Sequence, residues 1–420
     1  MLFNKSRAIE YMKRFELDAL VATSPVNITY FTDFYCGIDS KFKDYMIVPG
    51  ASSRLCQAYA VFPLEGEPAL VVSMGSVFAV NAADLWVDDL FLVGDDPMDS
   101  SLPPGPMSGD AARFFKLHNS SQHYSTATEA LLSILNGRDL TGARIGLEKE
   151  DLPDDEKQTI LRQLPDATIK DCTNLIRMIR MVKSPEELKR MSRAAEISEQ
   201  AGMESLSLAQ PGRQIADLVQ HYRASVAAKG AEFEHFYYGM YGMGIAAEPD
   251  YILNENDVLF VDFGCIYKHY FSDTGTTLAM RELSGDLLAR RTALFDSMTT
   301  AAQTLCPGVK SSTVRDVMWE TLEANGITAV FPHGHGFGLE VRDYPIIVAD
   351  NGLRIRDDCI DVPSDLPLEE NMVINLEAAV FMPGIGSVHI EQSFVVTSTG
   401  SRPLVSQDRS QAVTPVGLSL

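Results

Sequence analysis

The sequence has 420 residues, 45% apolar and 22% charged, proportions that exclude a disordered chain; this length predicts two domains, each with its own core. Acidic residues outnumber basic ones by 57 to 35, and a formal charge of −22 repels nucleic acid and anionic membrane surfaces, so neither is expected as a partner. The opening MLFNKSRAIEYMKRFELDALV lacks the continuous apolar core of a signal peptide and no later run is long enough to span a bilayer, which predicts a soluble, cytoplasmic protein.

From Asp18 to Asp171, short apolar runs (LDALVA, PALVVS, LFLVG, ARIGLE) alternate with longer segments that suit helices, the pattern of an α/β domain. The stretch GDDPMDSSLPPGPMSGD, from Gly94 to Asp110, is rich in Pro, Gly, Ser and Asp and reads as an exposed excursion. Ser184-Pro185-Glu186-Glu187 marks a helix start: Ser suits the N-cap, Pro the first helical position, and Glu187 closes a capping box. Leu188, Met191 and Ala195 then share one face. The expected domains are 1–175 and 183–410.

Within the second domain, Pro211-Gly212 and Pro307-Gly308 each open a helical stretch, and these close at the same spacing on Gly230 and Gly326. The echo suggests an internal duplication of helix, helix and strands. The six cysteines, Cys36, Cys56, Cys172, Cys265, Cys306 and Cys359, are scattered without a CxxC pair and read as reduced thiols.

In NDVLFVDFGCIYKHYFSDTGTTLAM, two strand-like runs carrying Asp262 and Asp273 read as a hairpin. A turn centred between Tyr267 and Lys268 would set the two carboxylates directly opposite, where Cβ atoms are about 4.5–5.5 Å apart and like charges repel unless a cation sits between them. In NMVINLEAAVFMPGIGSVHIEQSFVV, Glu377 and Glu391 flank a Pro383-Gly384 turn almost symmetrically, in apolar runs where unpaired charge is costly. Between the two pairs, FPHGHGFGLEVRDYP carries His335 with a glycine on either side, leaving the imidazole unobstructed. Four inward carboxylates and one imidazole form an oxygen-rich set suited to a pair of Mn, Fe, Co or Zn ions.

These motifs resemble the family of methionine aminopeptidase, prolidase, aminopeptidase P and creatinase. Its metal-binding members carry D-x10-D, a His in a GHGxG-like segment, and two later Glu in hairpin strands, here Asp262, Asp273, His335, Glu377 and Glu391 in the same order. SPVNITYFTDF, from Ser24 to Phe34, looks like the N-terminal domain signature of prolidase and creatinase relatives. The resemblance implies an α/β N-terminal domain followed by an α+β pita-bread catalytic domain. It also implies two divalent ions that activate water, with Asp273 and Glu391 bridging them, Asp262 on one ion, and His335 on the other. Glu377 would act as both ligand and proton shuttle. The expected partner is a small peptide or other small molecule, and a homodimer is expected because dimers are common among similar proteins.

Three departures bear on the substrate. Family peptidases have a His some way before the first Asp, where this chain reads GMGIAAEPD; their HE pair after the GHGxG-like segment is Arg342-Asp343; and the basic residue before the last metal Glu, commonly Arg, is His389. Arg342 either fixes a substrate carboxylate or pairs with Asp343 or another acid. His389 shares a strand face with Glu391, as a neighbour of the ligands or a proton carrier. His333 is expected to line the pocket, and His235, in FEHFYYGM, to reach it only if that loop folds inward. The leading expectation is hydrolysis of a C–N bond, nearest to an Xaa-Pro dipeptidase or aminopeptidase. The alternatives are an enzyme of a small metabolite, like dimethylsulfoniopropionate lyase, creatinase or ectoine hydrolase, and a non-catalytic binding homologue.

Overall fold

The computed structural model describes residues 1–35, 49–50, 58–73, 85–94, 98–99, 101–150, 152–247, 250–283, 285–328 and 330–415. The chain divides into two compact units, Met1–Arg180 with Ile355–Val362, and Met181–Arg354 with Pro363–Leu420. The return of a short segment to the first unit has no counterpart in the two contiguous domains expected. No helix among the described residues is long and apolar enough to cross a membrane.

The first unit takes its elements in the order α1 (Lys5–Arg14), β1 (Ala19–Ala22), α2 (Pro25–Thr32), β2 (Tyr59–Pro63), β3 (Ala69–Ser73), β4 (Asp89–Val93), α3 (Gly109–Ser120), β5 (Gln122–Tyr124), α4 (Ala127–Gly137), β6 (Arg144–Leu147), α5 (Asp154–Gln163), β7 (Thr168–Asp171) and α6 (Thr173–Arg180). Its seven strands form one sheet ordered β5-β4-β3-β2-β1-β6-β7, antiparallel only where β2 pairs with β1 and β3. Val21, Val61, Leu131, Ile134 and Ile145 lie in its core. The SPVNITYFTDF segment is largely α2, with Ser24 as N-cap and Pro25 in the first turn. The buried carboxylate of Glu148 accepts from Thr23 N at 2.7 Å, Ser24 N at 2.9 Å and Asn27 Nδ2 at 2.6 Å, so the charge is met by donors around this helix N-terminus. Residues 101–110 of the Pro- and Gly-rich stretch are exposed, while 95–97 and 100, like Cys36 and Cys56, lie outside the described residues. Cys172, Cys265, Cys306 and Cys359 are free thiols.

The second unit opens on α7 (Pro185–Leu206), where the Ser184 hydroxyl and the Glu187 carboxylate form the reciprocal capping box. There follow α8 (Ile215–Ala228), β8 (Glu232–Met240), β9 (Gly244–Ala246), β10 (Val258–Tyr267), β11 (Tyr270–Phe271) and β12 (Thr274–Ala279). The second half brings α9 (Gly285–Thr304), α10 (Ser311–Ala324), β13 (His333–Gly336) and β14 (Asp343–Ile347), then, after β15 (Arg354–Arg356) and β16 (Asp361–Pro363), which fall mostly in the first unit's Ile355–Val362 segment, β17 (Val373–Met382), β18 (Gly386–Thr397) and β19 (Gly400–Pro403).

The main sheet of this unit runs β14-β13-β17-β18-β12-β10-β8-β9. Outward from the central β18/β12 pair, each side presents a long strand and then a hairpin: β17 then β13–β14, and β10 then β8–β9. Each set of strands also follows two helices, which matches the duplication suggested by the paired Pro-Gly openings.

The hairpin between β10 and β11 requires one correction. Its two-residue turn is Lys268-His269, with φ of 47° and 72°, and Tyr267 pairs with Tyr270. Two consecutive left-handed residues suit the right-handed twist of the flanking strands. The turn centre is therefore one residue later than expected. Asp262 lies opposite Gly275, and Asp273, two residues before Gly275, is its diagonal neighbour rather than its direct partner.

Candidate metal centre

Strand register gathers the polar residues into adjacent rows on one face of the sheet. The middle row runs Tyr237, Asp262, Gly275, Glu391, Glu377 and His333, each the Cα partner of the next across β8, β10, β12, β18, β17 and β13. Glu377 and Glu391 are thus directly opposite, as their spacing from Pro383-Gly384 indicates. Two residues along each strand lies a second row, in which His235 pairs with Gly264, Asn375 with Ser393, and His335 with Asn375. Asp273 joins this row, its carbonyl accepting from Ser393 Oγ at 3.3 Å. On the other flank a third row holds Phe260, Thr277, His389 and Ala379.

The expected ligands converge through this arrangement. His335 Nε2 lies 3.4 Å from Asp273 Oδ2 and 3.9 Å from Glu377 Oε1. His389 Nε2 lies 3.7 Å from Glu391 Oε2 and 4.0 Å from Glu377 Oε2. His235, expected on a loop, is instead on β8, and its Nε2 is 2.8 Å from Asp262 Oδ1 and 3.7 Å from Asp273 Oδ1. It needs no loop movement to reach the site, because the pleat of β8 already aims it there. Its Nδ1 meets the Glu234 carboxylate and its ring stacks on Tyr237 at 4.9 Å.

Glycines make room where the rings cross the sheet. A Cβ on Gly264 would lie 2.5 Å from His235 Cε1, and one on Gly275 would lie 2.2 Å from His389 Cε1 and 2.6 Å from Glu391 Oε2. The two positions on the Asp262 hairpin that face these imidazoles therefore admit no side chain.

The electrostatics show what such a cluster demands. Burial, reinforced by the charge of Asp273, pushes the Asp262 carboxyl up to about 6 despite the adjoining His235. Glu391, fully buried, is raised well above the usual carboxylate range by burial and then by the charges of Asp262, Asp273 and Glu377. Burial would raise Glu377 as well, but the hydrogen bond and charge of His333 bring it down to about 2. Burial also depresses His389 to about 4, whereas His235 rises to about 11 because Asp262 and Glu234 outweigh its burial. Carboxylates crowded to this degree require added positive charge to remain ionised together.

The donor chemistry fits divalent cations. His335 Nε2, His389 Nε2 and Glu391 Oε2 are fully buried with no hydrogen-bond partner, although buried polar atoms are almost always satisfied. Two residue groups have ligand atoms close enough to share an ion, His235 with Asp262 and Asp273, and Glu377 with His389 and Glu391. Asp262, Asp273, His335, Glu377 and Glu391 together offer divalent cations oxygen donors and an imidazole.

Above the cluster opens a cavity of about 530 Å³, within the range of small-molecule sites. Asp262, Glu377 and His333 line it together with Tyr237, Ile245, Phe260, Phe331 and Phe381. Arg342 stands at its edge, more than half exposed, with Nη2 3.2 Å from Glu377 Oε1. Of the two readings of Arg342, the ion pair is therefore made, to Glu377, and the guanidinium is still open to the cavity. His333 Nε2 is 2.6 Å from the same Glu377 oxygen.

One neighbour escaped the sequence reading. Asn375, fully buried, donates from Nδ2 to Glu391 Oε1, while its Oδ1 accepts from Ser393 Oγ at 3.1 Å. The available signal was an amide two residues before Glu377 in an otherwise apolar run, which places both side chains on one face.

Comparison with known proteins bears on the family and the fold. The family model for the Creatinase/Prolidase N-terminal domain matches residues 5–182, and that for metallopeptidase family M24 matches residues 189–398. An uncharacterized peptidase of Bacillus subtilis is 27% identical over 268 residues, 62% of this chain and 72% of that protein. One from Staphylococcus aureus is 27% identical over 56% of this chain, and the match spans 65% of its length, just under two thirds. Among solved structures, prolidase from Pyrococcus furiosus superposes with a TM-score of 0.66 at 18% identity, covering 96% of this chain and 100% of that one. X-Pro aminopeptidase from Thermotoga maritima gives 0.68 at 18% identity, covering 98% and 99%. At such identities the structural likeness speaks for the fold, an α/β N-terminal domain followed by a pita-bread domain, and with the matched family models it establishes that the chain belongs to metallopeptidase family M24.

Proposed function

We propose that this chain is a dinuclear metal-dependent hydrolase of a C–N bond, acting on a small peptide or amide. The observation that carries the reading is the convergence of Asp262, Asp273, His335, Glu377 and Glu391 on one sheet face, with buried donor atoms left unpartnered beneath a substrate-sized cavity. Two divalent ions held there would lower the pKa of a water and polarise the scissile carbonyl.

The remaining work falls to the chain's own groups. Glu377 bridges the cluster and the cavity, so it is placed to take a proton from the attacking water and deliver it to the departing nitrogen. His333 and Arg342 both hold its Oε1 and so fix the carboxylate's orientation. Asn375 does the same for Glu391. Phe260, Phe381 and Ile245 supply apolar wall that limits water at the reacting carbonyl.

The test is turnover with manganese or cobalt supplied. Release of proline from Xaa-Pro dipeptides is expected, and Glu377→Gln should lower kcat by about 10²–10⁴. A second reading, an enzyme of a small metabolite, is favoured by Ile245 and Arg342, which line the cavity from the segments where family peptidases carry histidine. Inactivity on every Xaa-Pro peptide and simple amide, with turnover of a small sulfonium compound, would replace the first reading with the second.

A further inference from the structure

His335 and His389 carry the same structural signature. In each ring Nδ1 faces a backbone carbonyl, Gly336 O at 3.0 Å for His335 and Val261 O at 3.2 Å for His389. A carbonyl can only accept, so both rings carry a proton on Nδ1, and each neutral ring presents a lone pair at Nε2. Both Nε2 atoms are buried without a partner, and both point among carboxylate oxygens that are themselves acceptors. A neutral ring whose bare nitrogen faces ionised carboxylates needs positive charge between them, and a divalent cation supplies it to both sides at once. A backbone carbonyl holding the far nitrogen is also the usual support of a metal-bound imidazole.

The surroundings of His389 fix the ring in this pose. Phe260 stacks on it with centroids 3.9 Å apart, and the missing Cβ of Gly275 provides the space it occupies. His235 differs, because both of its nitrogens already meet carboxylates, Glu234 and Asp262.

We infer that His389 is a direct metal ligand, which with Glu377 and Glu391 holds the ion on that side of the cluster. The inference rests on the metal-centre reading above and adds a ligand to it. A second imidazole in the centre, beside His335, shifts its preference from manganese toward iron, cobalt or zinc.

Cobalt(II) alone, loaded into the full-length protein, is the probe. In the proton NMR spectrum each coordinated imidazole gives its own strongly shifted, exchangeable Nδ1–H signal. At least two such signals are expected in the wild type, one of which disappears in His389→Gln. The variant should also lose about 10-fold or more in cobalt affinity and most of its preference for cobalt over manganese. The wild-type count does not depend on the variant folding: two bound ions with a single shifted N–H would overturn the assignment. So would a folded His389→Gln protein whose shifted signals are unchanged. Failure of the wild type to bind cobalt would instead remove the metal centre itself, and this inference with it.

Discussion

At the scale of single residues, the site is a problem of crowded acceptors solved by position. Asp262 and Glu391 are pushed upward by burial while Glu377 is held low by His333, so carboxylates of one chemical type are driven apart by their surroundings. Arg342 meets that arrangement from the cavity edge, at Glu377 Oε1. If its open face receives a substrate carboxylate, Arg342→Ala should raise KM about 10-fold or more for substrates with a free carboxylate and little for those without, since charge-assisted hydrogen bonds contribute about 1.5–3 kcal/mol. Equal losses on both substrate types would assign Arg342 only to the orientation of Glu377. Asn375→Ala removes the donor to a buried Glu391 oxygen. It should weaken metal binding by about 10–100-fold, read by competition with a chelator, with the fold retained in circular dichroism.

At the scale of elements, register decides which residues meet. Glu377 and Glu391 were legible as partners because a Pro-Gly turn lies almost midway between them and both strands are unbroken. Asp262 and Asp273 were legible as a same-face pair, but not their diagonal offset, because Lys268-His269 forms the left-handed turn without the Asn-Gly or Asp-Gly that announces one. FEHFYYGM, dense in aromatic residues, reads as a packed loop, yet it forms most of β8 against β10. His389 was legible as a neighbour of Glu391 on one face, whereas its unpartnered nitrogen follows from the packing of Phe260 and Gly275, which no local sequence pattern encodes. Gly275→Ala tests this packing: with a Cβ 2.2 Å from the His389 ring, the substitution should displace it and cost metal affinity along with roughly 1–3 kcal/mol of stability in urea unfolding. Ser184→Ala, which breaks the capping box of α7, should cost about 1 kcal/mol and leave metal binding unchanged.

At the scale of the whole molecule, the acidic charge and the paired halves of the second unit act together. The two halves contribute matching strands around β12 and β18, and the carboxylate pairs they carry meet where those strands join. Ions bound there would tie both halves together, and binding to the folded state alone would raise its stability. Ions at 100 times their dissociation constant should add about 2.7 kcal/mol, and a chelator should lower Tm reversibly. A Tm insensitive to both would deny the coupling.

The most direct measurement is metal stoichiometry. Protein stripped by chelation, dialysed against cobalt or manganese and assayed for metal should hold two ions per chain, and Asp262→Ala and His335→Ala should each hold fewer. Wild-type protein with no bound ion, or variants with undiminished content, would contradict the assigned centre.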